Sequence, residues 1–244
     1  MTISLLAFPV LPGKSDADVR TSAEEFKSRS REYEQSRRRL GVTLERAYLQ
    51  HTPMGSCVVA YIEAERPFVE GTADLATSEY DLDKDFVRFT REVHGFDMTK
   101  PTEGPPPETV AEWLDPKVRE RRRGLAFVVP LIPDAVERAK SELRRHYASP
   151  EFTASRRRLQ QNREVAGLLH TPQGPLGVVY LEGFDPRLAD RALASSQAPY
   201  DLEFKRMLTT ICPPSVDFSK PLQGIEEIFD SMTVASLGRL RKAA

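Results

Sequence analysis

The stretch Ser36-Arg37-Arg38-Arg39-Leu40 occurs twice in the chain, and its second copy is Ser155-Arg156-Arg157-Arg158-Leu159, 119 residues later. At the same offset, His51-Thr52-Pro53 followed by Gly55 recurs as His170-Thr171-Pro172 followed by Gly174. Similarity at a fixed spacing is the sequence signature of a repeated structural unit. We therefore interpret the chain as a tandem duplication.

Further blocks recur in the same order and extend the repeat toward both ends of each half. The additional matches are Val59-x-Tyr61-x-Glu63 with Val178-x-Tyr180-x-Glu182, Pro9–Pro12 with Pro130–Pro133, Tyr80–Leu82 with Tyr200–Leu202, and Asp97–Pro101 with Asp217–Pro221. The predicted organisation is a first repeat at 1–115, a linker at 116–124, a second repeat at 125–230 and a C-terminal tail at 231–244.

Composition excludes several classes of protein. The 244 residues carry a formal net charge of -1 and are 40% hydrophobic, which is typical of a globular chain rather than a disordered one. Two cysteines are too few for a disulfide scaffold, and no apolar run approaches the roughly 18 residues that a membrane helix needs. We expect a cytoplasmic protein that neither binds nucleic acid nor enters a membrane.

Each half is predicted to follow the order β-α-β-β-α-β. The predicted strands and helices of the first half are 4–11, 16–40, 44–52, 57–63, 72–94 and 109–114; in the second half they include 125–132, 134–159 and 187–210. We expect a helix break at Ser149-Pro150, because proline disfavours a continuous helix. An alternative fourth strand of the first half is 95–99. Gly55 and Gly174 are expected to adopt positive φ angles in the hairpin turns.

This element order predicts an α+β fold, in which two ferredoxin-like βαββαβ units each place their helices on one face of an antiparallel sheet. The uncovered faces of two such sheets can close against each other. We therefore expect a pseudo-dimer within one chain.

Several residues carry a resemblance to known proteins. They are the Ser-Arg-Arg-Arg-Leu helix end, Glu45–Gln50, the Pro-x-Gly turn, Val59-x-Tyr61-x-Glu63, Gly95–Asp97 and the proline-rich segment before Trp113. In these residues each half resembles a bacterial family of unknown function. In its element order the whole chain resembles a fused dimeric α/β-barrel, the superfamily that includes the stress-responsive A/B barrel proteins. The superfamily contains haem enzymes, quinone-forming monooxygenases and isomerases, so the fold does not choose among functions.

The third strand of each half separates into two faces, because side chains alternate along a strand. In the first half, Val58, Ala60 and Ile62 form an apolar face that suits contact with helices. The opposite face carries Tyr61 and Glu63, which we expect to point into the barrel.

The second strand adds polar residues to that face if Thr52 lies opposite Cys57 in the hairpin. In this register Arg46 faces Glu63 across the strands. The predicted polar cluster of the first half comprises Arg46, Tyr48, Gln50, Tyr61 and Glu63.

Two alternatives to this cluster stay open. A register slip by one residue would bring Glu45 and His51, instead of Arg46, to the face of Glu63. In a purely structural interpretation, Arg46 and Glu63 form an ion pair and the tyrosines fill the barrel.

The second half retains only part of the cluster. Tyr180 and Glu182 are kept, but Val165, Gly167 and Leu169 replace the polar residues of the second strand. This asymmetry predicts that only one half of the chain carries the functional site.

The leading hypothesis is that the barrel cavity binds a small organic molecule, with Tyr180 and Glu182 as further ligand-binding residues. Glu63 is the candidate for proton transfer, since burial raises a carboxyl pKa, although Arg46 would oppose that shift. Alternatives are a structural or protein-interaction module with a filled barrel, and a small-molecule monooxygenase or isomerase. Whether the protein is an enzyme stays open.

No cofactor is assigned by the sequence. We find no metal-binding motif, phosphate-binding loop or nucleophile elbow. Haem enters only through the superfamily resemblance, and its axial ligand would have to be His51 or His170. The arginine runs lie at the C-terminal ends of predicted helices, where basic side chains interact favourably with the helix dipole, so they do not require nucleic acid as a partner.

Overall fold

The computed structural model describes residues 1–100 and 104–234. In this part of the chain, helices accompany two four-stranded antiparallel sheets, which confirms the α+β class. The chain divides into two compact units, here called unit 1 (residues 1–106 and the chain from 224 onward) and unit 2 (residues 107–223). None of the helices in the described ranges has both the length and the apolar character needed to cross a bilayer.

The elements follow the repeat along the chain. Those of the first half are β1 (Thr2–Pro9), α1 (Asp16–Ser28), α2 (Ser30–Arg39), β2 (Val42–Thr52), β3 (Gly55–Ala64), α3 (Phe68–Ala76), α4 (Asp81–His94) and β4 (Glu108–Leu114). Those of the second half are β5 (Arg123–Pro130), a short 3-10 helix (Pro133–Ala135), α5 (Val136–Tyr147), α6 (Pro150–Arg158), β6 (Gln161–Thr171), β7 (Gly174–Gly183), α7 (Pro186–Ser195), α8 (Pro199–Ile211) and β8 (Ile225–Asp230).

Each sheet takes its fourth strand from the other half of the sequence. The strand order is β1-β3-β2-β8 in unit 1 and β4-β6-β7-β5 in unit 2. The units therefore do not coincide with the predicted repeats 1–115 and 125–230. Both exchanged strands carry a bulge at equivalent points, at Val110 opposite β6 and at Ile228 opposite β2. The two strands therefore occupy equivalent edge positions, β8 beside β2 and β4 beside β6.

The positions of the elements confirm part of the prediction and correct the rest. The strand predicted at 109–114 is confirmed, and no strand forms at 95–99. The break at Ser149-Pro150 is confirmed, with Ser149 capping α6. The single helices predicted at 16–40, 72–94 and 187–210 were wrong, since each is a pair of helices. In the second pair, the Ser78 hydroxyl accepts a hydrogen bond from the Tyr80 N–H and holds the turn before α4.

The first hairpin is tighter than predicted. Thr52 pairs with Gly55, so Arg46 lies opposite Tyr61 and not opposite Glu63. The Thr52 hydroxyl donates to the Gly55 carbonyl at 2.8 Å and closes the short loop. A shift of two residues keeps every side chain on its predicted face. The alternative slip by one residue is therefore wrong.

The repeated arginine stretch attaches the second helix of each unit to its surroundings. In unit 1 the Arg37 Nε donates to Glu45 on β2 at 2.7 Å, and in unit 2 Arg156 donates to Glu164 on β6 at 2.6 Å. The predicted role of these arginines at helix ends was therefore incomplete, because two of them lie buried in ion pairs. The stretch Ser-Arg-Arg-Arg-Leu is a structural signature.

The serine and last arginine of that stretch bind a buried aspartate. In unit 1 both Ser36 and Arg39 contact Asp83. The equivalent aspartate in unit 2 is Asp201. The sequence match that aligned Asp81 with Asp201 was therefore displaced by two residues.

Both hairpin glycines have the predicted positive φ, +116° at Gly55 and +120° at Gly174. An added Cβ at Gly55 would meet nothing within 4 Å, so substitution there introduces backbone strain alone. We expect Gly55→Ala to lower the free energy of unfolding by about 1 kcal/mol, measured by urea denaturation. Met54→Ala, at an exposed residue of the same turn, is the control. Equal stability of the two variants would contradict this prediction.

Candidate ligand cavity

The predicted polar cluster lies on the face of the unit 1 sheet that its helices do not cover, and its members are buried: Arg46, Tyr48, Gln50, Tyr61 and Glu63. The Tyr61 hydroxyl donates to Glu63 at 2.5 Å. Arg46 donates to Asp230 of the exchanged strand β8 at 3.0 Å. Across the strands, Arg46 therefore lies opposite Tyr61, whose hydroxyl in turn contacts Glu63.

The same tyrosine–glutamate contact occurs in unit 2. The Tyr180 hydroxyl donates to Glu182 at 2.7 Å, and Glu182 also accepts from the Asn162 side chain and the Arg122 backbone N–H. A contact that both units retain, despite their different neighbours, is typical of a shared structural requirement. The role of these residues in binding or catalysis stays a prediction.

The two histidines considered as haem ligands do not line the cavities found in the two units. His51 and His170 lie at the exposed ends of the hairpins, and the His51 ring contacts Ser56. Within the described ranges, no group of three or more histidine, cysteine or carboxylate side chains could hold a metal ion. These surroundings do not fit a haem-binding site.

Unit 1 contains a cavity between its sheet and the helices α1, α2 and α4. The space open to the centre of a water molecule is about 80 Å³, several times the roughly 10–15 Å³ that one water needs. Small side chains of the sheet, Ala47 and Ala60, form part of its floor. Its lining includes the phenylalanines Phe8, Phe26, Phe68, Phe86, Phe89 and Phe229.

His94 is the last residue of α4 and lines this cavity. The helix ends there because Gly95 adopts the left-handed conformation at φ 70°. His94 Nδ1 lies 2.8 Å from the Pro9 carbonyl oxygen. A carbonyl oxygen only accepts, so Nδ1 carries the proton and Nε2 of the neutral ring is an acceptor. Burial lowers the pKa of His94 and favours this neutral form.

Two aromatic rings fix the position of the His94 ring. The Phe89 ring lies edge-on at a centroid distance of 5.0 Å, and the Phe8 ring lies at 5.8 Å. The imidazole is thus held on two sides by apolar groups and at Nδ1 by the backbone. This arrangement presents a neutral, oriented imidazole in an apolar environment.

An ion pair forms the polar end of the cavity. Glu45 accepts from Arg37 at 2.7 Å and from the Tyr33 hydroxyl at 2.8 Å. Burial opposes the charge on Arg37, but Glu45 offsets this and holds the pKa of the guanidinium above its ordinary value. Burial also raises the pKa of Tyr33. The two charges compensate each other, and the tyrosine stays neutral.

Unit 2 has a smaller cavity at the equivalent place. It measures about 40 Å³ and its lining is almost entirely apolar. Cys212 lies at the position of His94. The equivalence follows from the backbone, since the Ile132 N–H donates to the Ile211 carbonyl in unit 2 as the Leu11 N–H donates to the Val93 carbonyl in unit 1. Burial raises the pKa of the Cys212 thiol to about 12, so this thiol is not an acceptor comparable to imidazole.

A cluster of large rings fills the rest of the unit 2 core. Phe152 is fully buried and stacks on Tyr147 at a centroid distance of 4.3 Å. Trp113 packs against Phe152 edge-on and donates from its indole nitrogen to Thr153. These rings lie away from the smaller cavity, whose lining does not include them.

This site did not emerge from the sequence, in which Glu45 entered only through the register alternative and nothing placed His94 beside a cavity. The usable signal was the difference between the repeats, with His94 in one and Cys212 in the other. This difference is visible only when α4 is aligned correctly with α8. The sequence match had aligned Asp81 with Asp201, whereas the structural equivalent of Asp201 is Asp83.

Residues 1–114 match the model of a family described as a family of unknown function (DUF6176). This match agrees with the predicted resemblance of the first half and ends at the last residue of β4. No curated protein matches the chain. The crystal structure of a "Putative monooxygenase" from Fusobacterium nucleatum covers 93% of this chain and 92% of its own, with 10% identity and a TM-score of 0.49.

Proposed function

We propose that the protein binds a small, largely apolar organic molecule in the cavity of unit 1. The observation that carries this proposal is the difference between the units. The same place in the fold measures about 80 Å³ in unit 1 and about 40 Å³ in unit 2, and only the former is lined by an imidazole and an ion pair.

An unfilled cavity lowers the stability of a protein, since interiors are normally close-packed. In unit 2 Val179 lies opposite Ala166, whereas in unit 1 the smaller Ala60 lies opposite Ala47 and leaves more space. A ligand that occupies this space would recover the missing contacts. Convergence of a few polar groups on an apolar pocket is the general character of small-molecule sites.

This proposal keeps the predicted function but moves the site from one face of the sheet to the other. The predicted residues Arg46, Tyr61 and Glu63 make hydrogen bonds with neighbouring side chains on the opposite face. In this proposal unit 2, whose sheet includes β4, has mainly a structural role.

The test is a substitution that fills the cavity from its floor. We expect Ala60→Ile to weaken binding of the probe 2-naphthol at least tenfold, measured by isothermal titration calorimetry. The branched side chain suits a strand and removes space that the ligand needs. The matched control is Val179→Ile, which lines the smaller cavity of unit 2 and should leave binding unchanged.

Glu63→Gln provides a second control, because it alters the predicted catalytic residue without touching the cavity lining. We expect this variant to bind 2-naphthol like the wild type. A tenfold loss in Glu63→Gln with normal binding by Ala60→Ile would place the ligand on the opposite face and overturn this proposal.

A further inference from the structure

We propose, on the basis of the proposed function, that the cavity of unit 1 selects an uncharged ring compound bearing one hydroxyl or N–H group that donates a hydrogen bond to Nε2 of His94. His94 would then recognise the ligand, and the ring skeleton would fill the apolar part of the cavity.

The geometry of His94 defines what it can recognise. Its Nδ1–H is committed to the Pro9 carbonyl at 2.8 Å, which leaves Nε2 as an acceptor. In the described part of the chain, no residue makes a hydrogen bond to this nitrogen. An acceptor on the wall of an apolar cavity gains a hydrogen bond when a ligand donor reaches it, so a ligand hydroxyl or N–H at this position would be recognised.

The other polar side chains of the lining are already engaged. The Thr90 hydroxyl donates to the Val87 carbonyl at 3.0 Å, and the Tyr33 hydroxyl donates to Glu45. The guanidinium of Arg37 donates a hydrogen bond to the same carboxylate. His94 is therefore the lining group best placed to give orientation to a ligand.

The charge balance of the lining selects against ionised ligands. Arg37 and Glu45 compensate each other at 2.7 Å, and burial favours the neutral form of His94. A carboxylate or an ammonium group would lose its hydration without gaining an unpaired counter-charge, which is costly in an apolar site. The surrounding phenylalanines favour the flat faces and edges of aromatic rings.

The experiment compares three probes of the same ring skeleton by calorimetry at pH 7: 2-naphthol, naphthalene and 2-naphthoate. We expect 2-naphthol to bind at least tenfold more tightly than either of the others. His94→Phe keeps a ring at the position but removes the acceptor, and it should make 2-naphthol and naphthalene bind equally. Thr90→Val removes a hydroxyl from the same lining and should preserve the preference.

A measurement on the wild-type protein avoids dependence on the folding of the His94 variant. The unprotonated imidazole nitrogen of His94 should shift upfield in the 15N spectrum when 2-naphthol binds, and it should not do so with naphthalene. This change in 15N chemical shift reports directly on a hydrogen bond accepted by Nε2.

The outcomes separate this inference from the proposed function. Equal binding of 2-naphthol and naphthalene, both blocked by Ala60→Ile, would overturn the inference and leave the function standing. Binding of 2-naphthoate as tight as that of 2-naphthol would likewise overturn it. If neither neutral probe binds, the proposed function fails as well.

Discussion

Arg156→Met is expected to lower the free energy of unfolding by about 3–5 kcal/mol. The side chains of Arg156 and Glu164 are only 1% and 5% exposed, and two hydrogen bonds of 2.6 and 3.1 Å join them. Removing the guanidinium leaves the Glu164 carboxylate buried without its counter-charge. The guanidinium also lies over the rings of Phe152 and Phe204, at 4.1 and 4.7 Å from their centroids.

The double variant Arg156→Met with Glu164→Met is the informative control, measured by urea denaturation. Removing both charges relieves the buried carboxylate, so the double variant should be more stable than Arg156→Met alone. Arg37→Met in unit 1 should cost less, because its pair with Glu45 is more exposed. A loss below about 1 kcal/mol for Arg156→Met would contradict the importance of this pair.

Phe152→Ala is expected to cost about 3–5 kcal/mol of unfolding free energy. The ring is fully buried and contacts three others, namely Tyr147, Trp113 and Phe204. Truncation removes these contacts and opens a cavity that the neighbouring strands cannot close completely. The measurement is again urea denaturation, with thermal unfolding as a second readout.

Phe152→Leu is the conservative control for this prediction. Leucine retains part of the volume and should lose clearly less stability than alanine. Neither variant should alter binding of 2-naphthol by unit 1, because Phe152 does not line the unit 1 cavity. Equal stability losses for the two variants would show that packing volume at residue 152 is not what matters.

Local chemistry made several features of the fold predictable. Positive φ at Gly55 and Gly174 follows from the steric freedom of glycine, and the break at Ser149-Pro150 follows from the geometry of proline. The division of β3 into an apolar and a polar face follows from alternation of side chains. These properties depend on a few neighbouring residues, so the sequence is sufficient to predict them.

The hairpin register shows where local reasoning ends. Alternation correctly placed Arg46 and Tyr61 on one face, but it could not distinguish registers that differ by two residues. The loop that Thr52 and Gly55 close decided the register, through a hydrogen bond that periodicity does not encode.

The sequence by itself determined the α+β class, the existence of a strand at 109–114 and the apolar face of β3. Tertiary structure decided that β4 and β8 exchange sheets, because equivalent strands offer equivalent hydrogen bonds. It also decided that the cavity beside His94 is about twice as large as the equivalent space beside Cys212. Free volume and the tautomer of His94 depend on contacts between distant segments, such as that of His94 with Pro9, and not on local preference.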